Sequence, residues 1–176
     1  MSFGAMRKVA LAAALLVATG AGAQESTNRV AADTDWSVFV EQNPRECWSV
    51  SAPKSSRIVD SSGNATSGNR GEILLFVFFR PGQGVDGQVT FTGGYPFAGG
   101  STVSVTIGGE TFELFTEGEW AWPATPQDDA RLVAAMRRGA EAEVRGRSGR
   151  GNVTIDEFSL LGFTAALDEA QNRCAG

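Results

Sequence analysis

Apolar and polar residues alternate with a period of two along most of this chain. In "DWSVFV", Trp36, Val38 and Val40 fall on one side and Ser37 and Phe39 on the other, and in "ECWSVSA", Cys47, Ser49 and Ser51 oppose Trp48 and Val50. Successive side chains of a strand point to opposite faces of a sheet, so both stretches predict strands, with turn chemistry in "QNPRE" between them. "EILLFVFF", Glu72 to Phe79, is apolar without interruption and is expected to be a central strand buried on both faces. The small polar run "SSGNATSGNRG", Ser61 to Gly71, precedes it as a loop or hairpin tip. Further strands are expected at "QVTFTG", "STVSVTI", "ETFELF", "AEAEVRGR" and Val153 to Ser159. Gly108 and Gly109 have the form of a two-residue hairpin, because glycine reaches positive φ without steric cost.

Helical signals interrupt this pattern twice. Thr125 fits an N-cap, Pro126 the first helical position, Asp128 and Asp129 the first turn, Arg137 and Arg138 the last, and Gly139 the stop. Leu132, Val133 and Met136 form the apolar stripe of that helix, and a second amphipathic helix is expected at about Phe163 to Arg173. Together these elements predict a mainly β fold: an antiparallel β-sandwich or barrel of about eight to ten short strands with two short helices.

The N-terminal residues change the compartment. Arg7 and Lys8 precede an apolar run from Val9 to Val17, followed by Ala21-Gly22-Ala23, the layout of a secretory signal peptide over residues 1–23. The apolar core is about half the ~20 residues that span a bilayer. Residues 24–34 are expected to be a flexible lead and 35–176 a single β-rich domain, periplasmic or secreted, with no integral membrane segment after cleavage. Losing Arg7 and Lys8 from 15 basic and 20 acidic side chains moves the net charge from -5 to -7. Such a chain repels nucleic acid, and Arg145, Arg147 and Arg150 are interleaved with Glu141, Glu143, Asp156 and Glu157. In an oxidising compartment Cys47 and Cys174 are expected to pair, closing a loop worth roughly 4 to 5 kcal/mol by chain entropy.

The chain has no histidine, which removes Ser-His-Asp and Cys-His mechanisms and the commonest metal ligand. No metal and no cofactor are expected. Asp128 and Asp129 read as a helix first turn, and the glycines as turns rather than a phosphate cradle. Ser51-Ala-Pro-Lys54 has Ser-x-x-Lys spacing, but it sits at a strand end and Pro53 blocks the helix that chemistry requires. One stretch remains, "TEGEWAWP", Thr116 to Pro123. On a regular strand Glu117 and Glu119 would share one side, as would Trp120 and Trp122, giving a candidate ligand or partner surface or, alternatively, a strand end that packs the core. No catalytic residue is assigned.

The ordering of "DWSVFVE", "ECWSVSAPK", "ILLFVFFRPG", "ELFTEGEWAWPATPQDDARLVAAMRRG" and "FSLLGFTAALDEAQNRC" resembles the invasion-associated locus B family of alphaproteobacterial exported proteins. The resemblance implies a secreted or periplasmic β-rich domain, an association with host-cell invasion in pathogenic members, and no established enzyme activity. Many members carry a closely spaced cysteine pair where this chain has "TEGEWAWP". The expected function is that of an exported, non-enzymatic envelope protein acting by protein-surface contacts with an envelope or host protein. The alternative is a carbohydrate-binding module or weak hydrolase centred on Glu117, Glu119, Trp120 and Trp122.

Overall fold

The computed structural model describes residues 28–175, so the leader expected at 1–23 lies outside the described residues. Strands run over β1 (Arg29–Asp33), β2 (Trp36–Gln42), β3 (Arg45–Ser51), β4 (Ser55–Val59), β5 (Ala65–Thr66), β6 (Leu74–Arg80), β7 (Val85–Thr92), β8 (Thr102–Ile107), β9 (Glu110–Glu117), β10 (Trp120–Trp122), β11 (Glu141–Arg147) and β12 (Val153–Ser159). The helices are α1 (Pro126–Arg138) and α2 (Phe163–Ala175). All twelve strands form one antiparallel sheet in the order β1-β2-β3-β6-β7-β10-β9-β8-β11-β12-β4-β5.

That order is linear, so the sheet is open rather than a closed barrel. Its two halves nonetheless meet. Phe91 on β7 lies edge-on to Phe158 on β12 at 6.1 Å, and Trp36 Nε1 on β2 donates to the carbonyl of Ser159 on β12 at 3.0 Å. The inner face is the alternating set the sequence marks, including Trp36, Val38, Cys47, Leu75, Val77, Val89, Phe91, Val103 and Leu114, all fully buried. Each such Val, Leu or Phe contributes roughly 1.5–3 kcal/mol by leaving water, and this burial drives the sheet to roll.

The mainly β class with two helices follows the sequence, but the strands outnumber the expected eight to ten. Residues 24–34 read as a flexible lead, yet Arg29–Asp33 is strand β1, whose backbone pairs with β2 regardless of its small side chains. Strands β4 and β5 escape notice because "SSRIV" and "AT" carry no alternation, and β4 is specified by pairing with β12, about a hundred residues away. Glu72–Phe79 was expected to be buried on both faces. In β6 only Leu75, Val77 and Phe79 are buried, while Leu74, Phe76 and Phe78 are half-exposed on the other side. The helices pack on one face of this part of the sheet, so an all-apolar strand is left with an uncovered edge of aromatic rings.

Helix α1 has the predicted start. Thr125 Oγ1 accepts from the Asp128 N–H at 3.2 Å, Pro126 occupies the first turn, and the Gly139 N–H closes the last turn on the Ala135 carbonyl. The Cys47–Cys174 disulfide joins the buried face of β3 to the last turn of α2, with Cα atoms 5.8 Å apart. Beside it, the Arg45 guanidinium donates to the Arg173 carbonyl at the helix C-terminus.

Candidate functional site

Side chains on the outer face of β2, β3, β6, β10 and β9 form a continuous aromatic tract. Phe39 and Trp48 are cross-strand partners with centroids 5.5 Å apart and planes within 6°. Trp48 meets Phe78 at 6.0 Å, Phe78 meets Phe76 at 5.1 Å, and Phe76 meets Trp120 at 6.1 Å. Trp122 continues on the same side of β10 and stands opposite Phe115 of β9. The first four rings are half-buried, whereas Trp120 is 43% and Phe115 56% exposed. From β2 to β9 the tract crosses six strands, about 24 Å at ~4.8 Å per strand.

The border of this tract is charged, and acidic at the β9 end. Glu41 and Glu46 pair across β2–β3 at one end, and Glu113 and Glu117 project from β9 on the same side as Phe115 at the other. Two cations share this face: Arg80, which lies over the Phe78 ring at 4.3 Å and pairs with Glu46 at 3.3 Å, and the exposed Arg29 of β1, which stands opposite Phe39. Arg80, Gln88, Trp120 and Trp122 also surround a shallow depression of about 480 Å3.

The sequence grouped Glu117, Glu119, Trp120 and Trp122 as one surface along one strand. Gly118, with φ of 59°, instead reverses the chain, so that Trp120 pairs back onto Glu117 across a tight hairpin. The two carboxylates are therefore on the two sides of a turn rather than at i and i+2 of a strand, and both are exposed to solvent. Trp120 and Trp122 do share a face, joining Phe76 and Phe115, while Ala121 between them points into the core. Of the remaining tryptophans, Trp36 is in the core and Trp48 on the outer face. The phase of Phe76 and Phe78 within an all-apolar run was the missed signal: rings two apart on the strand, out of step with the buried Leu75 and Val77.

Glu119 belongs to a different site, a polar pocket of about 460 Å3. Behind it lies a network that sequence spacing could not reveal, because its members come from distant segments. Arg70, from the loop after β5, forks onto Asp156 of β12 with two 2.7 Å contacts. Both side chains are desolvated, Arg70 8% and Asp156 0% exposed. Ser56 Oγ donates to the same carboxylate at 2.6 Å, and Arg70 Nε donates to the Gly93 carbonyl at 2.9 Å. The guanidinium also lies 5.1 Å from the Tyr95 ring centre, and the Tyr95 and Thr154 hydroxyls are 2.6 Å apart. Burial raises the Tyr95 pKa above its ordinary value, so the phenol stays protonated.

Two further readings resolve locally. Ser51 Oγ donates to the Asp35 carbonyl at 2.7 Å, and Lys54 pairs with the Asp35 carboxylate at 2.7 Å, so the Ser-x-x-Lys spacing builds a structural tie. The Lys54 hydrogen bond holds the Asp35 carboxyl below its usual pKa. Asp129, read as a first-turn acid, is in that turn but buried, and accepts from the Val89 N–H at 2.8 Å. Strand β10 ends at Trp122, and this carboxyl takes the place of the missing next ladder partner of β7. Burial pushes its pKa up to about 6. Among the described residues no cluster of three or more potential metal-ligating side chains occurs.

Fold and sites define a disulfide-closed, mainly β protein with an uncovered aromatic face. Among the described residues no helix is long and apolar enough to cross a membrane. The chain belongs to the family described as Invasion associated locus B (IalB) protein, whose family model matches residues 62–171. Comparisons with curated proteins and with solved structures gave no match. The matched span runs from the loop before β5 into α2 and includes the hairpin at Gly118, while both disulfide cysteines lie outside it.

Proposed function

We propose that this is an exported, non-enzymatic protein that binds a protein partner through the outer aromatic tract. The observation carrying this reading is the chain of ring contacts from Phe39 to Trp120, with Trp122 and its cross-strand partner Phe115 beyond it, most exposed at Trp120 and Phe115. Contiguous exposed apolar surface, rich in tryptophan and phenylalanine, is costly to leave in water and typical of interface centres. Export is supported by the leader-like N-terminal sequence and by a disulfide, which an oxidising compartment preserves.

The chemistry of the partner follows from the border. At the β2–β3 end Arg80 and Arg29 offset Glu46 and Glu41, whereas Glu113 and Glu117 beside Phe115 favour an apolar patch that carries Lys or Arg at that end. A sugar-stacking platform needs ring faces open to solvent. Phe39 with Trp48, and Phe76 with Phe78, sit closer than coplanar rings allow and cover each other's faces.

A photo-crosslinking residue placed at Phe115, and separately at Leu161, tests this in envelope extracts. Leu161 is equally exposed, at 58%, but lies between β12 and α2. A discrete adduct formed from position 115 alone, weakened by added salt, is the expected result. Identical adducts from both positions, or none from 115, would sink the proposal.

A further inference from the structure

We infer that the polar pocket beside Glu119 is a binding site for a neutral saccharide, independent of the aromatic tract. The pocket draws on separated parts of the chain: Asn69, Tyr95 with Pro96, Glu119 from the β9–β10 turn, and Arg150 with Asn152 from the β11–β12 turn. Its volume of about 460 Å3 lies within the usual ~300–1,000 Å3 range of small-molecule sites.

The inner wall is rigid and the rim is uncommitted. Arg70, fixed by Asp156 and by the Gly93 carbonyl, holds one side of the Tyr95 ring, and Thr154 holds its hydroxyl. By contrast, the side chains of Asn69, Glu119, Arg150 and Asn152 have no hydrogen-bond or ion-pair partner among the described residues. Preorganised support behind free polar groups is the arrangement a binding site requires.

The charges select among ligand classes. Glu119 offsets Arg150, and Asp156 neutralises Arg70, so the lining carries no net charge to attract phosphate. A single free carboxylate is too few for a divalent cation, which takes six or more oxygen ligands when calcium. An apolar ligand would strand the rim groups without hydrogen bonds. Sugar hydroxyls both donate and accept. Adjacent hydroxyls match planar carboxamide, carboxylate and guanidinium groups, and the exposed Pro96 offers an apolar wall for the C–H face of a pyranose. Glu119, which the sequence placed in a tryptophan-based sugar site, thus serves the pocket, and the tryptophans serve the tract.

Amide chemical-shift mapping of the mature protein tests this with glucose, N-acetylglucosamine and their β-linked disaccharides, beside alanine and inorganic phosphate. Saccharide-induced shifts should centre on Gly94, Tyr95, Gly149 and Asn152. Asn69→Ala combined with Asn152→Ala should weaken binding about tenfold or more without lowering Tm, since both sites lie on the pocket rim. Trp120→Ala with Trp122→Ala should leave saccharide binding intact. Absence of saccharide shifts, a response to alanine or phosphate alone, or loss of binding only in the tryptophan variant would each overturn the inference. None of these outcomes bears on the crosslink from position 115, so the two sites fail separately.

Discussion

Trp36 and Trp120 lie in strands of the same sheet, yet one is 1% and the other 43% exposed. Trp36 is engaged from two directions: its Nε1 donates to the Ser159 carbonyl, and Phe163 of α2 packs edge-on at 4.8 Å. Trp120 meets Phe76, a neighbour on its own face, at 6.1 Å. The inner aromatics join different elements and hold the roll of the sheet. The outer ones lie side by side on one face, and their removal should leave the roll in place. The same residue types therefore serve stability on one side and contact on the other.

The strongest test of the inner side is covalent. Cys47→Ser with Cys174→Ser opens a loop with a sequence separation of 127 and should cost about 4–5 kcal/mol in urea unfolding. Next, Trp36→Ala should cost roughly 3–5 kcal/mol, because it leaves a cavity and strands the Ser159 carbonyl. Equal losses from Trp36→Ala and Trp120→Ala would break the contrast.

Asp129 is the exception on the inner side, and pH exposes it. Its carboxyl is raised from 3.8 to about 6 in the folded state, chiefly by burial, with Asp128 nearby adding to the shift. Between those values the folded protein holds a proton that the unfolded chain has released, so this group's effect is to lower stability as pH rises through the window. Asp129→Asn keeps an oxygen for the Val89 N–H and should gain on the order of 2–3 kcal/mol at pH 8 and little at pH 4. A gain equal at both pH values would remove the titration from the account. The smallest stability effect is expected outside: Trp120→Ala and Phe115→Ala should each shift stability by less than about 1 kcal/mol, while Trp120→Ala in the chain that carries the crosslinker at 115 should lose the adduct.

Local chemistry made part of this legible. The alternation of Trp36, Val38 and Val40 and the caps of α1 depend on neighbours in sequence, and both stand as read. What escaped depends on distant partners. Arg70 sits in a polar loop with nothing to mark it until Asp156, 86 residues on, is brought beside it. The burial of Asp129 follows from where β10 stops, and the outward phase of Phe76 and Phe78 from which face the helices cover. In "TEGEWAWP" the sequence left a regular strand open. That Gly118 makes a full reversal, sending Glu119 to one site and Trp120 to another, needed the β9–β10 pairing.

The position of Cys174 sets an order of events. It follows the last strand, and the loop it closes with Cys47 contains β4 to β12 and α1. A chain that emerges N-terminus first presents Cys47 early and must keep that thiol unspent until every strand has followed. This loop can therefore close by oxidation only after the last strand of the sheet has been made.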